Sequence, residues 1–172
     1  MHMELRLSGS GGQGLILAGV IMAEAALIDG KNAVQSQSYG PEARGGASRA
    51  EVIISDQEID FIKVQSADML LCLTQTAYDR YGKEPAAVLI VDDSIELKYP
   101  EPVKVVRVPI LETALKQIGR PMVANIVALG VVNATLKLVS RESLAQAVLG
   151  RVPKGTEELN SRALDCGYEL VG

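Results

Sequence analysis

The chain has 172 residues, 48% of them hydrophobic and 22% charged, a folding composition that buries roughly 70% of the extended-chain surface. A net charge of −4, from 17 basic and 21 acidic residues, argues against a phosphate-tracking nucleic-acid surface, and 3% aromatics leave few platforms for stacking bases. His2 is the single histidine, which argues against histidine acid–base catalysis and His-rich metal sites.

Residues 4–8 alternate Leu5 and Leu7 with polar neighbours and predict a first strand. No basic leader with an apolar signal core precedes it. Residues 9–14 (GSGGQG) form a turn, and Leu15–Ile28 predicts the first helix, ending at Asp29-Gly30, where glycine can take the left-handed cap conformation. Asn32–Gln37 is a weaker strand that leads into a second glycine-rich stretch, SYGPEARGG at 38–46. In Ser48–Ser55, Ala50, Val52 and Ile54 alternate as in a strand. Residues 68–74 are a continuous apolar run, read as a buried strand, with a short helix at Gln75–Tyr81. Two further strands are predicted at 87–91, before the acidic pair Asp92-Asp93, and at Lys104–Val108, before Pro109.

The remainder reads as helix: 109–117, then 121–138 with Pro121 at its first position, then 141–149 capped by Ser140, then 154–166. Strands separated by helical or irregular crossovers predict one α/β domain over 1–172. Its three layers place a parallel or mixed central sheet between helices, with a Rossmann-like glycine loop after the first strand. The segments Leu15–Ile28 and 122–136 are apolar all round but fall short of the roughly 20 residues a bilayer span needs. The second also carries Asn125 and Asn133. A cytoplasmic chain is expected, with these helices covered by the C-terminal helices or by a partner protein.

Gly9, Gly11 and Gly14 satisfy G-x-G-x-x-G between a strand and a helix, a context in which first-turn amides favour an anion. Ser36, Gln37 and Ser38 stand where a dinucleotide site needs its ribose-binding acid. Leu15 and Ile16 follow Gly14 where a triphosphate loop needs lysine. The glycines can equally serve close helix–sheet packing. Gln13 then offers a donor and an acceptor to a ligand edge or to neighbouring backbone. In the second loop, Gly40, Gly45 and Gly46 give freedom and Pro41 restricts it. Tyr39, Glu42, Arg44 and Arg49 bring a phenol, a carboxylate and two guanidinium groups. Either arginine can grip a phosphate or carboxylate, or pair with Glu42 or with a partner subunit.

Little else carries chemistry. Cys72 and Cys166 read as free thiols, and two cysteines cannot supply the four thiolates of a [4Fe–4S] centre. Asp92-Asp93 suits a turn as well as a metal. No residue is assigned a catalytic or metal-binding role.

GSGGQGLILAG at 9–19, DGK at 29–31, SYGPEARGG at 38–46 and SRAEVIISD at 48–56 together resemble the gamma subunit of the 2-oxoacid:ferredoxin oxidoreductases. They are similar, too, to the corresponding domain of longer, fused pyruvate oxidoreductases. The resemblance implies oxidative decarboxylation of a 2-oxoacid with coenzyme A and reduction of ferredoxin. Thiamine diphosphate and iron–sulfur clusters are then held chiefly by alpha and beta subunits and, optionally, a ferredoxin-like delta subunit. It maps Gly11, Gly12, Gln13 and Gly14 to one loop motif, and Tyr39, Gly40, Glu42, Arg44, Gly45 and Gly46 to a second, near the assembled catalytic and coenzyme A region; Arg49 is a candidate coenzyme A contact by its charge alone. The 2-oxoglutarate type is favoured over the pyruvate and branched-chain types. The residues alone leave open an autonomous NAD- or flavin-binding redox protein and a non-enzymatic α/β adaptor.

Overall fold

The computed structural model describes residues 1–37, 46–84, 86–102 and 104–172. Its sheet has strands β1 (His2–Gly9), β2 (Asn32–Gln37), β3 (Ser48–Ser55), β4 (Met69–Cys72), β5 (Val88–Asp92) and β6 (Lys104–Val108), in the order β2-β3-β1-β4-β5-β6. β1, β4, β5 and β6 run parallel, while β3 is antiparallel to both β1 and β2. The sheet is therefore mixed, as expected.

Alternation along the strands divides two cores. In β1, Leu5 and Leu7 face one side, packing with Val52, Ile54, Met69, Leu71 and Ile90 beneath most of the helices. Leu70, Cys72, Leu89 and Val91 face the other side, against the short helix at 75–81. β4 and β5 are buried on both faces, which is why they read as unbroken apolar runs.

The helices are α1 (Leu15–Ile28), α2 (Gln75–Tyr81), α3 (Ile110–Glu112), α4 (Ala124–Leu136), α5 (Arg141–Arg151) and α6 (Glu157–Val171). α4 is buried over its first ten residues because α6 lies along it and α1 and the 110–118 segment pack against it within the larger core. α6 approaches so closely that a Cβ at Gly167 would sit 2.1 Å from the Val127 carbonyl oxygen. α5 packs on α1, where Arg151 Nε donates to Glu24 Oε2 at 2.8 Å. The C-terminal helices thus cover much of the apolar circumference of α1 and α4.

Helix ends differ from the expected ones for local reasons. The 121–138 segment opens as a 3-10 turn at Pro121–Val123 and stops at Leu136, where Lys137 turns left-handed with φ 52°. Asn133 makes that exit possible, with Nδ2 donating to Val139 O at 3.0 Å and Oδ1 accepting from Val139 N at 3.1 Å. α3 runs into a π-helix at Thr113–Ile118 rather than remaining regular. The last helix begins later than 154, because residues 153–156 close a turn from Thr156 N to Pro153 O, 3.1 Å. Among the described residues no helix is long and apolar enough to cross a membrane.

Candidate functional site

Strand direction brings the first glycine-rich loop and the two ends of the second stretch, Gln37 and Gly46, to one edge. β1, β4 and β5 end there, β2 ends there, and β3 begins there with Ser48 opposite Gly9. Ligands of open α/β sheets settle at such carboxyl ends. Gly46 closes the second loop with φ 82°, its α-carbon lying near the Thr76 side chain at the start of α2. Tyr39, Gly40, Glu42, Arg44 and Gly45 lie outside the described residues.

The first loop is braced from within and from behind. Gln13 Oε1 accepts from Ser10 N at 2.7 Å, and Gln13 N donates to Ser10 O at 3.3 Å. The Gln13 amide oxygen thus serves neighbouring backbone. Gly14 is left-handed, φ 72°, and its carbonyl accepts from Asn125 Nδ2 at 3.1 Å. A Cβ on Gly14 would stand 2.5 Å from that nitrogen. Gly11 and Gly12 are exposed at the tip, and α1 starts with no side-chain cap and no acid in its first turn. Its positive end is accordingly available to an anion.

Beneath this edge, on the α2 face of the sheet, lies a partly buried polar cluster that strand periodicity does not reveal. Arg6 Nε donates to Glu51 Oε2 at 2.8 Å, and Arg6 Nη1 donates to Glu84 Oε2. Burial opposes the Arg6 charge, but the hydrogen bonds and charges of Glu51 and Glu84 together outweigh it and raise its pKa. The guanidinium carbons of Arg6, Arg49 and Arg80 stand 5.9, 5.6 and 5.9 Å from the Tyr81 ring centroid. Tyr81 is buried, and its hydroxyl has no hydrogen-bond partner among the described residues. Arg49 thus points its charge at Tyr81. Arg6 and Glu51, cross-strand partners in register, gave a signal only in being charged amid apolar neighbours.

Asp92 is committed to structure: Oδ2 accepts from Ser94 N at 3.1 Å and Oδ1 from Leu111 N at 2.9 Å. Among the described residues no three His, Cys, Asp or Glu side chains are grouped to hold a metal ion. Cys72 lies buried on β4 and Cys166 on α6, both free, so the chain does not fit an iron–sulfur cluster. Burial pushes the Cys72 thiol up to about 12, the contact from Ser8 Oγ pulling weakly the other way. Asn125 also borders an apolar groove of about 210 Å³ with Leu17, Met122, Val152 and Leu159.

Residues 4–170 match the family described as pyruvate ferredoxin/flavodoxin oxidoreductase. The chain belongs to this family. It is 53% identical to the 2-oxoglutarate synthase subunit KorC of Methanocaldococcus jannaschii, over 99% of this chain and 95% of that one. Against the pyruvate synthase subunit PorC of Methanothermobacter thermautotrophicus, identity is 31% over 98% of this chain and 96% of that one. The solved gamma subunit of a keto/oxoacid ferredoxin oxidoreductase from Geobacter sulfurreducens PCA superposes with a TM-score of 0.89 at 51% identity, covering 99% of this chain and 96% of that one. As a member of the family, the chain is a gamma-type subunit of a multi-subunit 2-oxoacid:ferredoxin oxidoreductase.

Proposed function

We propose that this subunit serves the 2-oxoglutarate type of the reaction: a 2-oxoacid and coenzyme A yield acyl-CoA and carbon dioxide, and two electrons pass to ferredoxin. The observation that carries the substrate class is the 53% identity to a 2-oxoglutarate synthase subunit against 31% to a pyruvate synthase subunit. Thiamine diphosphate and the iron–sulfur clusters belong to the alpha and beta subunits and, where present, a ferredoxin-like delta subunit. The separation of Cys72 from Cys166 supports that division. Free thiols also support a cytoplasmic setting.

The chain, taken as one domain over 1–172, contributes the loop edge. Amides of Gly11 and Gly12 and the open start of α1 favour the phosphates of coenzyme A, with Gln13 and the Asn125–Gly14 bond holding their shape. Tyr39, Gly40, Glu42, Arg44, Gly45 and Gly46 supply the second motif, and Arg44 is the residue assigned to phosphate. Arg49, drawn against Tyr81, steadies the base of that loop.

Reconstitution tests this. The complex is assembled with and without the chain, and turnover of 2-oxoglutarate, pyruvate and a branched-chain 2-oxoacid is followed with coenzyme A and a low-potential acceptor. Turnover is expected to require the chain and to be greatest with 2-oxoglutarate. Full activity and unchanged coenzyme A affinity without it overturn the role, and a preference for pyruvate overturns the substrate class.

A further inference from the structure

The β3–β4 connection, residues 56–68, carries no regular secondary structure, yet it is fastened at both ends. Ile59 on one side, and Val64 and Ala67 on the other, pack with Ile53 on the α2 face of the sheet. Between these anchors Phe61 and Ile62 stand 71% and 61% exposed. Phe61 is the only phenylalanine in the chain. An adjacent aromatic–aliphatic pair on a tethered loop loses little freedom when it is buried by another protein, the property of an interface anchor.

The surroundings are acidic. A cleft of about 200 Å³ beside Phe61 is lined by Glu4, Glu58 and Asp60, with His2 and Gln65. Glu58 and Asp60 are both exposed. Asp56 is spent on the Met1 ammonium at 2.8 Å, so it adds little to this field. Lys63 is the single lysine in the 56–68 segment, which contains four carboxylates, Asp56, Glu58, Asp60 and Asp68, and Glu4 faces them across the cleft. The loop follows the end of β3 opposite the start of β1, so a strand length of roughly 25 Å separates it from the glycine loops. A partner seated here leaves the candidate ligand edge open.

We propose that Phe61 and Ile62 are the docking anchor by which this subunit binds another chain of the oxidoreductase complex, entering an apolar pocket whose rim carries Lys or Arg to meet Glu4, Glu58 and Asp60. The inference rests on the multi-subunit reading. It adds where assembly occurs and what chemistry the partner presents.

The test uses the co-expressed complex. Phe61→Ser with Ile62→Ser should leave the melting of the isolated chain unchanged and weaken assembly by roughly 30-fold or more. Glu58→Lys with Asp60→Lys should weaken assembly and flatten its salt dependence. Phe61→p-benzoylphenylalanine, irradiated in the intact complex, should cross-link to a partner segment flanked by basic residues. Wild-type assembly of the Ser variant, a cross-link to a site without basic residues or to a second copy of this chain, or no cross-link overturns the proposal. Should the Ser variant melt early, the cross-link decides alone. Normal assembly of these variants, together with loss of turnover when the chain is omitted, sinks the docking site and leaves the subunit role standing.

Discussion

Gly14 is the residue on which the first loop turns. Its φ of 72° costs any other residue roughly 1–2 kcal/mol, and a Cβ would press on Asn125 Nδ2 at 2.5 Å. Gly14→Ala is therefore expected to lower stability by about 2 kcal/mol or more in denaturant titration. Gly11→Ala, where a Cβ meets nothing within 4 Å, should stay within about 0.5 kcal/mol of the parent. Gly11 and Gly14 thus have separate roles, packing requiring the second and not the first. The cysteines give a second prediction at this scale. Near pH 8, Cys72, fully buried and with its pKa at about 12, should resist a thiol reagent until the protein unfolds. Cys166, raised by partial burial and then by Glu169, should react in the native state, more slowly than free cysteine. Equal native-state rates for both thiols would contradict the placement of β4.

Elements are joined by polar links that no periodicity announces. Asp29, just past α1, accepts from Ser140 N at 2.6 Å and Ser140 Oγ at 3.0 Å, and from Ser143 Oγ at the start of α5. The Ser143 bond first, and those of Ser140 after it, hold its carboxyl below the ordinary 3.8, against the opposing effect of partial burial. Because the folded value lies below the unfolded one, the ionised carboxylate stabilises the fold at pH above the unfolded value. That contribution is lost as pH falls through the folded value. Asp29→Asn should cost about 1 kcal/mol near neutral pH, a modest figure because solvent reaches the pair. Urea midpoints of the two proteins should converge in acid. A constant difference down to the lowest pH would remove the carboxylate from the α1–α5 junction.

For the whole molecule, the open start of α1 allows two kinds of ligand in principle, and the chain's surroundings separate them. The strand that should carry a ribose-binding acid ends instead in Ser36 and Gln37, and Gln35 Nε2 donates to Gln37 Oε1 at 3.0 Å within that strand. A dinucleotide has no partner there. The purified chain is expected to show neither flavin absorbance nor saturable binding of NAD, measured by calorimetry. Saturable binding by the lone chain would revive an autonomous redox role. Met122, at 73% exposed, and the Phe61–Ile62 pair are apolar surface that the fold leaves uncovered, in keeping with a subunit.

Much of the architecture was legible in the sequence. Leu15–Ile28, Asn32–Gln37, Ser48–Ser55, Gln75–Tyr81 and Lys104–Val108 stand where periodicity and capping put them, since hydrophobic spacing and turn residues act over a few positions. The first glycine motif likewise located its loop, and the motifs together carried the family. Strand order, the reversal of β3, and the meeting of the first loop with Gln37 and Gly46 at one edge came only with tertiary structure, because pairing is set by packing between distant segments. So did the uses of Gln13, Asn125 and Gly167. The first braces its own loop, the second holds that loop from α4, and the third lets α6 close on Val127 O. Each depends on which atoms the fold brings within a few ångströms, and residue type alone does not specify that.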